Sequence, residues 1–311
     1  MKMRIRFAAS LLLTGLAGCM PGPIVKLDTP MVEAGKAEHV VIFLTQSEVL
    51  VDDADVGNGG GGLLGALIEV AIESAKTKNR QEAIAPLRDA LLDYEYEAKL
   101  FDAIKAHLPT SMVKADARFK VVRNNEEWRA HLQSVLPANV FLVSTRYAFE
   151  QDFDIAYVGA GVTLQKFSTM PPDEKQWKKM SSKQRKAIEP TLLHEGSYSS
   201  QHLTRSPFVK LKKTPGMARY EQNAASWRQN GAEPVRIAFA AALNEIASLI
   251  QRDGERSLPP TPKKKGTRAF LAHPYFQPHL ANTSRLERSD GRSLIVIGQN
   301  IHWIDDRQIK N

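Results

Sequence analysis

Apolar and polar residues alternate along several stretches of the chain, and this period of two predicts β-strands. The β-branched run at residues 39–51 predicts a first strand, a short strand is expected at 119–123, and residues 192–204 predict a later one. Residues 140–150 and 153–167 alternate on both sides of a short polar turn. These two stretches therefore predict a long antiparallel hairpin.

Apolar positions three or four residues apart predict helices in other parts of the chain. One such stretch is 81–108, where Pro86 is expected early in the helix because proline lacks the N–H that later positions need. Residues 126–136 predict a second helix, which one of the two preceding asparagines can cap. Residues 233–252 have an amphipathic pattern and predict a third.

The order of these elements predicts an α+β fold, with a mostly antiparallel sheet and helices packed on one face of it. We expect this domain to span residues 39–252. Proline, glycine and lysine residues make 253–266 typical of a linker. Beyond it, residues 267–311 predict a small C-terminal β-rich appendix. We expect the appendix either to pack onto the main domain or to order only on binding a partner, and we expect the main domain to fold without it.

A glycine-rich segment, residues 57–62, separates the first strand from an apolar stretch at 63–75. Its glycines match the G-x-G-x-x-G pattern of dinucleotide-binding loops, but three aspartates just before it would repel a phosphate group. We therefore favour a flexible hinge, and no cofactor is predicted. Because residues 63–75 are apolar on nearly every helical face, we expect them in the core, at a subunit interface or against lipid.

The start of the chain combines the parts of a secretory signal. Basic residues precede a short apolar run at 7–16, which is too short to span a bilayer. The next residues, Leu16-Ala17-Gly18-Cys19, resemble the lipobox of bacterial lipoproteins at all four positions. The resemblance implies that a diacylglyceryl group is attached to Cys19 and that residues 1–18 are a signal peptide removed before Cys19.

The lipoprotein resemblance also implies where the protein is held. Residues 19–38 would tether the fold to the lipid. In the family convention, an aspartate after the cysteine retains a lipoprotein at the inner membrane, whereas Met20 stands in that position here. This favours the periplasmic face of the outer membrane. The expected partners are the membrane, through the lipid on Cys19, and a protein of an envelope complex.

Composition agrees with a globular body held in the cell envelope. The chain is 43% hydrophobic and 24% charged, which is ordinary for a folded domain. Loss of residues 1–18 removes three basic and no acidic residues, so the net charge falls from +8 to +5. This mild basic excess suits a neighbour of anionic lipid or cell wall, and no nucleic-acid partner is expected.

The order of elements over residues 39–252 also resembles the small α/β module of periplasmic lipoproteins related to the curli-secretion protein CsgG and of transport-auxiliary lipoproteins. In those proteins an early strand is followed by helices, a strand–helix–strand unit and a long hairpin. The stretch GGGGLLGALIE…PLRDALLDY is similar to sequences of proteobacterial lipoproteins. The resemblance implies no catalytic motif.

Few residues suggest chemistry at a site. His194, Glu195 and His202 lie on one predicted strand, with the histidines on one face but about 26 Å apart, too far to share a metal ion. His273 and His279 flank a loop and have no evident third ligand. The motifs of serine hydrolases and zinc proteases do not occur, so no catalytic or metal-binding residue is predicted.

A basic segment, residues 175–186, combines six lysine or arginine residues with Trp177, and it is either a solvated surface or a contact with an anionic envelope surface. From all these features we expect a lipid-anchored cell-envelope protein that serves as a non-catalytic accessory, assembly or scaffolding subunit. The alternative is an envelope enzyme or a ligand-binding lipoprotein acting on cell wall or lipid. A deep pocket with convergent titratable groups would favour that alternative.

Overall fold

A computed structural model describes most of the chain. The described residues are 35–44, 46–51, 75–150, 152–172, 176, 179–204, 207–208, 217–261, 266–273, 276–297 and 300–310. The lipobox with Cys19, most of the expected tether, and the glycine-rich segment with the apolar stretch that follows it lie outside these residues.

Helices and strands follow one another along the described residues. The helices are α1 (Ala75–Asp89), α2 (Tyr96–Ala106), α3 (Asn125–Val135), α4 (Ser182–Ile188), α5 (Arg219–Trp227) and α6 (Gln229–Gly254). The strands are β1 (Ala37–Phe43), β2 (Leu50–Val51), β3 (Val113–Val122), β4 (Ala138–Phe149), β5 (Ile155–Phe167), β6 (Thr191–Leu203), β7 (Thr267–His273), β8 (Phe276–Ser289), β9 (Arg292–Ile297), β10 (Asn300–Asp305) and β11 (Ile309–Lys310). The predicted hairpin is confirmed as β4 and β5, and two predicted helices are confirmed as α3 and α6.

The strands form one sheet, and most of its pairings are antiparallel. The order is β11-β7-β8-β9-β10-β6-β5-β4-β1-β3, with β2 also paired to β4. The four parallel pairings join β1 to β3, β1 to β4, β2 to β4 and β10 to β6, and the other six are antiparallel. The predicted α+β fold with a mostly antiparallel sheet is therefore confirmed.

The strand expected at residues 39–51 is two strands, β1 and β2, which both pair in parallel with β4. Between them, the carboxamide of Gln46 pairs with the backbone of Tyr147, accepting from its N–H and donating to its carbonyl oxygen. The pairing of β4 continues across the gap because a carboxamide carries the same donor and acceptor as a peptide group. At the other end, Ala37 and Glu38 already belong to β1, so the expected tether ends before residue 37.

The helix expected at residues 81–108 is two helices, α1 and α2. Pro86 lies inside α1, three residues before its end, and not in a first turn. Glu95 has a left-handed backbone conformation, with φ of 35°, directly before α2. Apolar spacing did not reveal this turn because Leu87 before it and Leu100 after it belong to the same core.

Helices cover both faces of the sheet. On one face, α1, α2, α5 and α6 form a core with Val40 of β1, whereas Trp128 and Leu132 of α3 pack with Val41 on the other face. The expectation of helices on one face is therefore wrong for α3. From β1 the chain moves along the sheet in one direction to β3, and it then passes β1 in the other direction to reach β4. Because these two connections have the same hand but run in opposite directions along the sheet, their helices lie on opposite faces.

The C-terminal strands continue the same sheet. β10 pairs in parallel with β6, and Leu294 of β9 and Trp303 of β10 lie in the core that contains α6. β8 was not expected from the sequence, because its residues show little apolar alternation. β8 pairs with β7 through its first half and with β9 through its second half, and so connects β7 to β9 within the sheet.

Candidate functional site

The histidines that the sequence singled out on one strand lie on β6 and contact α6. Nε2 of His194 is 3.7 Å from Oδ2 of Asp253, and Nε2 of His202 is 3.4 Å from Oε2 of Glu245. Burial lowers the pKa of both histidines, although the nearby carboxylates oppose this effect. Each histidine therefore has its own carboxylate partner. Glu195 lies between them in the sequence, and burial raises the pKa of its carboxyl group.

Ser200, His202 and Glu245 are the residue types of a catalytic triad, but their geometry is that of a structural network. Ser200 Oγ lies 3.2 Å from His202 Nε2 and also donates to Glu245. Serine and glutamate thus meet the same imidazole nitrogen, whereas a triad places the nucleophile on one nitrogen and the carboxylate on the other. Ser200 is also 0% exposed, so a substrate cannot reach its hydroxyl group.

Arg292 of β9 completes this network and joins the C-terminal strands to α6. It donates to both carboxylate oxygens of Glu245, from Nη2 at 2.6 Å and from Nε at 3.1 Å, and from Nη1 to the carbonyl oxygen of Gln201. Burial opposes ionisation of Glu245, but the hydrogen bond with His202 and the charge of Arg292 outweigh it and lower the pKa to about 2. Such two-pronged, charge-assisted bonds are among the strongest that side chains make.

The remaining sequence candidates are not brought together. His273 lies on β7 opposite Phe276, and His279 lies on β8 opposite Leu271, so the two histidines are not cross-strand neighbours. Residues 182–186 of the basic segment belong to α4, whereas Lys175, Trp177 and Lys178 lie outside the described residues.

A cleft lies at the carboxyl ends of β1 and β3. The connection after β1 leads to α1 and α2 on one face of the sheet, and the connection after β3 leads to α3 on the other. In open sheets with parallel strands, ligands bind in the crevice that such a divergence leaves. Leu44 follows β1 and Arg123 follows β3, and both line this cleft, whose volume is about 400 Å³.

One wall of the cleft is aromatic. Tyr147 of β4 stacks on Tyr96 of α2 with ring centroids 3.7 Å apart, and Phe239 of α6 meets Tyr147 edge-on at 5.6 Å. Tyr94 adds a fourth ring, 6.2 Å from Phe239. Burial raises the pKa of Tyr94 and that of Tyr147 to about 12, so both phenols are neutral at physiological pH. The wall offers a rigid apolar surface with hydroxyl groups at its edges.

Charged residues line the cleft beside this wall. Nε of Arg88 donates to the carbonyl oxygen of Val49 at 3.0 Å and lies 3.6 Å from a carboxylate oxygen of Glu48. Burial lowers the pKa of Arg88, and Glu48 opposes this effect. Arg123 instead donates to both carboxylate oxygens of Glu97, at 2.7 and 2.9 Å. Within the described part of the chain, the two terminal nitrogens of Arg88 have no hydrogen-bond partner, so Arg88 can offer them to an acceptor bound in the cleft.

Sequence reasoning did not identify this cleft, because its lining comes from separated parts of the chain. The sequence pattern placed Tyr94 and Tyr96 in the predicted helix at 81–108 and Tyr147 in the predicted strand at 140–150. One signal was present in the sequence: the polar residues 46–48 interrupt an otherwise apolar run and mark the end of a strand. A polar break of that kind is where the loop of a switch-point crevice begins.

Comparison with known proteins adds no relative. No protein-family model matches the chain, and neither the curated proteins nor the solved structures contain a match to it. Among the residues that the structure describes, no helix has both the length and the apolar character to cross a bilayer.

Proposed function

We propose that this protein is a lipid-anchored accessory subunit of the cell envelope that acts by binding a partner and not by catalysis. The observation that carries the proposal is the tetrapeptide Leu16-Ala17-Gly18-Cys19 at the end of a signal-like leader. Cys19 carries the lipid, and Met20 after it favours the periplasmic face of the outer membrane. Several acyl chains on one residue anchor a protein stably, because even two membrane signals suffice.

The cleft supports the binding part of the proposal. It combines an aromatic wall with the guanidinium of Arg88, and aromatic and arginine side chains dominate the energetics of many protein interfaces. An extended segment of a protein partner can place apolar side chains on the rings and a carbonyl or carboxylate oxygen at Arg88. Leu92 in the cleft lining is 85% exposed, which is unusual for leucine and suits a contact position.

The same cleft favours one form of the alternative function, a ligand-binding lipoprotein acting on cell wall or lipid. Pockets for small ligands are concave and largely apolar, with a few placed polar groups, and this cleft has that composition. The two functions differ in what occupies the cleft, which is a protein segment in the first and a glycan or lipid in the second.

We also propose that residues 267–311 are an integral part of the α+β domain. Residues 253 and 254 of the expected linker already belong to α6, and we propose that the rest of it connects two parts of one domain. The support comes from the pairing of β10 with β6, from Leu294 in the main core, and from the bonds between Arg292 and Glu245.

Site-specific photo-crosslinking in cells tests the proposed function. A photoreactive amino acid in place of Leu92 should give a discrete protein adduct in the membrane fraction, because this position lines the cleft. The same replacement at Ser134 is the matched control, since it is exposed on α3, which packs on the opposite face of the sheet. In a Cys19→Ser background, palmitate labelling should disappear, and the protein should stay uncleaved at the inner membrane or be released in soluble form.

Each outcome of this experiment bears on a different part of the proposal. Palmitate labelling that persists in Cys19→Ser would rule out the lipid anchor, because the chain has one cysteine. Identical adducts at Leu92 and Ser134 would rule out the cleft as the binding surface. A glycan or lipid adduct at Leu92 would replace the accessory function with the ligand-binding one.

A further inference from the structure

Two histidines meet under α3, on the face of the sheet away from the cleft helices. His39 of β1 and His131 of α3 pack edge to face, with ring centroids 5.6 Å apart and ring planes at 73°. His39 is 8% exposed, and it points to the side of the sheet on which Val41 packs with Trp128. The pair therefore lies between the sheet and a helix, with His39 buried and His131 half-buried.

The nitrogen atoms of this pair are not satisfied by the protein. Nδ1 of His39 and Nε2 of His131 are both buried, and neither has a hydrogen-bond partner among the described residues. Oε1 of Gln165 is another buried atom without a partner among the described residues. Gln165 lies two strands from His39, because Val140 of β4 pairs with His39 on one side and with Gln165 on the other. Buried polar groups almost always have partners, so such a group points to a water molecule or an ion.

The separation of the two rings fits two ligands to one metal ion. Imidazole nitrogens bind Zn²⁺ at about 2.0–2.1 Å, and two imidazoles on one ion then have centroids about 5–6 Å apart. The observed separation of 5.6 Å falls in this range. Two edge-to-face rings can also pack without an ion, but that arrangement leaves both buried nitrogens unpaired.

Burial and nearby charges act on the pKa of both rings. Burial lowers the pKa of His39, Glu38 raises it and Arg118 lowers it further. Burial also lowers the pKa of His131, and His39 and Lys120 act in the same direction. Arg118 and Lys120 are exposed on β3, where solvent screens their repulsion of a cation.

We propose that Nδ1 of His39 and Nε2 of His131 together bind one divalent transition-metal ion of the class that imidazole prefers, Cu²⁺ or Zn²⁺. The described residues contain no cluster of three or more His, Cys, Asp or Glu side chains placed to hold a metal. The site therefore rests on two imidazoles, and water completes the coordination. Binding joins α3 to β1 and should weaken as falling pH protonates the histidines.

Equilibrium dialysis of the untagged full chain against ZnCl₂, CuSO₄ and MgCl₂, followed by metal analysis, tests this proposal. We expect one Zn²⁺ or Cu²⁺ per chain, with Cu²⁺ bound more tightly, and no Mg²⁺. His131→Asn should weaken Zn²⁺ binding by more than about tenfold. His107→Asn is the matched control, because His107 is a helix histidine that already bonds Gln251 at 3.0 Å, and it should leave the affinity unchanged.

The proposal is wrong if wild-type chain retains no Zn²⁺ or Cu²⁺, or if His131→Asn binds them as tightly as wild type does. In that case the pair is an aromatic contact whose nitrogens meet water. Circular dichroism of each variant shows whether it folds, and if His131→Asn does not fold, His39→Asn takes its place in the same measurement.

Discussion

Two regions of the sheet differ in how they satisfy their buried polar groups: the region where β6 packs against α6, called the closed end below, and the region of the parallel strands β1 and β3, called the open end. Under α6, Ser200, His202 and Arg292 all meet Glu245, and the network joins three elements. At the open end, the buried nitrogens of His39 and His131 have no partner in the described structure, and the terminal nitrogens of Arg88 are unbonded at the cleft. One end is closed by its own side chains, and the other can accept a bound group.

The difference follows from how the strands are connected. β6 has a neighbouring strand on each side and packs against α6, so the polar side chains on that face, such as Ser200, meet partners on α6. At the open end, successive crossovers leave toward opposite faces, and the crevice between them is filled by neither. Stability is therefore expected to depend on the closed end, and binding on the open end.

Deletion of residues 267–311 is expected to have the largest effect on the closed end. It removes Leu294 and Trp303 from the core, uncovers the edge of β6, and leaves Glu245 without Arg292. Leu294 is 0% exposed, and burial of one such side chain contributes about 2 kcal/mol. We expect the truncated chain to lose its cooperative thermal transition in circular dichroism. A cooperative melt close to that of the full chain would instead support a separate appendix.

Glu245→Gln is expected to lower the free energy of unfolding by about 3 kcal/mol at pH 7, because it leaves the guanidinium of Arg292 buried without a countercharge. The folded pKa of Glu245 is about 2, below the ordinary 4.5. Its contribution is therefore complete above pH 4.5 and is lost as the pH falls toward 2. Urea denaturation from pH 7 to pH 3 should show the gap between variant and wild type closing with acid.

The control for this substitution is Glu233→Gln, which removes an exposed carboxylate from the same helix. It should change the stability by less than about 0.5 kcal/mol. Equal losses for the two variants would mean that the network under α6 does not stabilise this end of the sheet.

Gly196→Ala should have the smallest of these effects, a loss of about 1–3 kcal/mol from overpacking. A Cβ at this position would lie 2.0 Å from the hydroxyl oxygen of Tyr198, whose buried ring donates a hydrogen bond to Asp253 at 2.6 Å. The ring would have to move and lose that bond. Gly159→Ala on the neighbouring strand is the control, since its Cβ would meet no atom closer than 4.0 Å. Equal melting temperatures for the two variants would show that Tyr198 can move at little cost.

Several elements could be predicted from the sequence because local patterns determine them. The hairpin of β4 and β5 was visible as alternation around a short turn, and α6 as an apolar face that begins near Pro234. The cap of α3 was visible as an asparagine before a helical pattern, and Asn124 accepts a hydrogen bond from the N–H of Glu127. Such signals lie within a few residues of one another, so no long-range contact is needed to interpret them.

The site and the exact elements around it could not be predicted in this way. The break between α1 and α2 was hidden because Leu87 and Leu100 share one core. The pairing of Gln46 with Tyr147 joins residues 101 positions apart, and the contact of His39 with His131 depends on a crossover that brings α3 over β1. Neither contact produces a pattern among residues that are neighbours in the sequence.

By itself, the sequence determined the secondary-structure pattern, the α+β class and the signal-like leader ending in Cys19. These follow from periodicity and short motifs, whose physical cause lies in the backbone geometry of neighbouring residues. The tertiary structure alone decided which face each helix covers, which strands become neighbours, and hence which polar groups find partners. The reason is that burial and hydrogen bonding of a side chain depend on what the rest of the chain places beside it. At the carboxyl ends of β1 and β3, the described residues leave that space open.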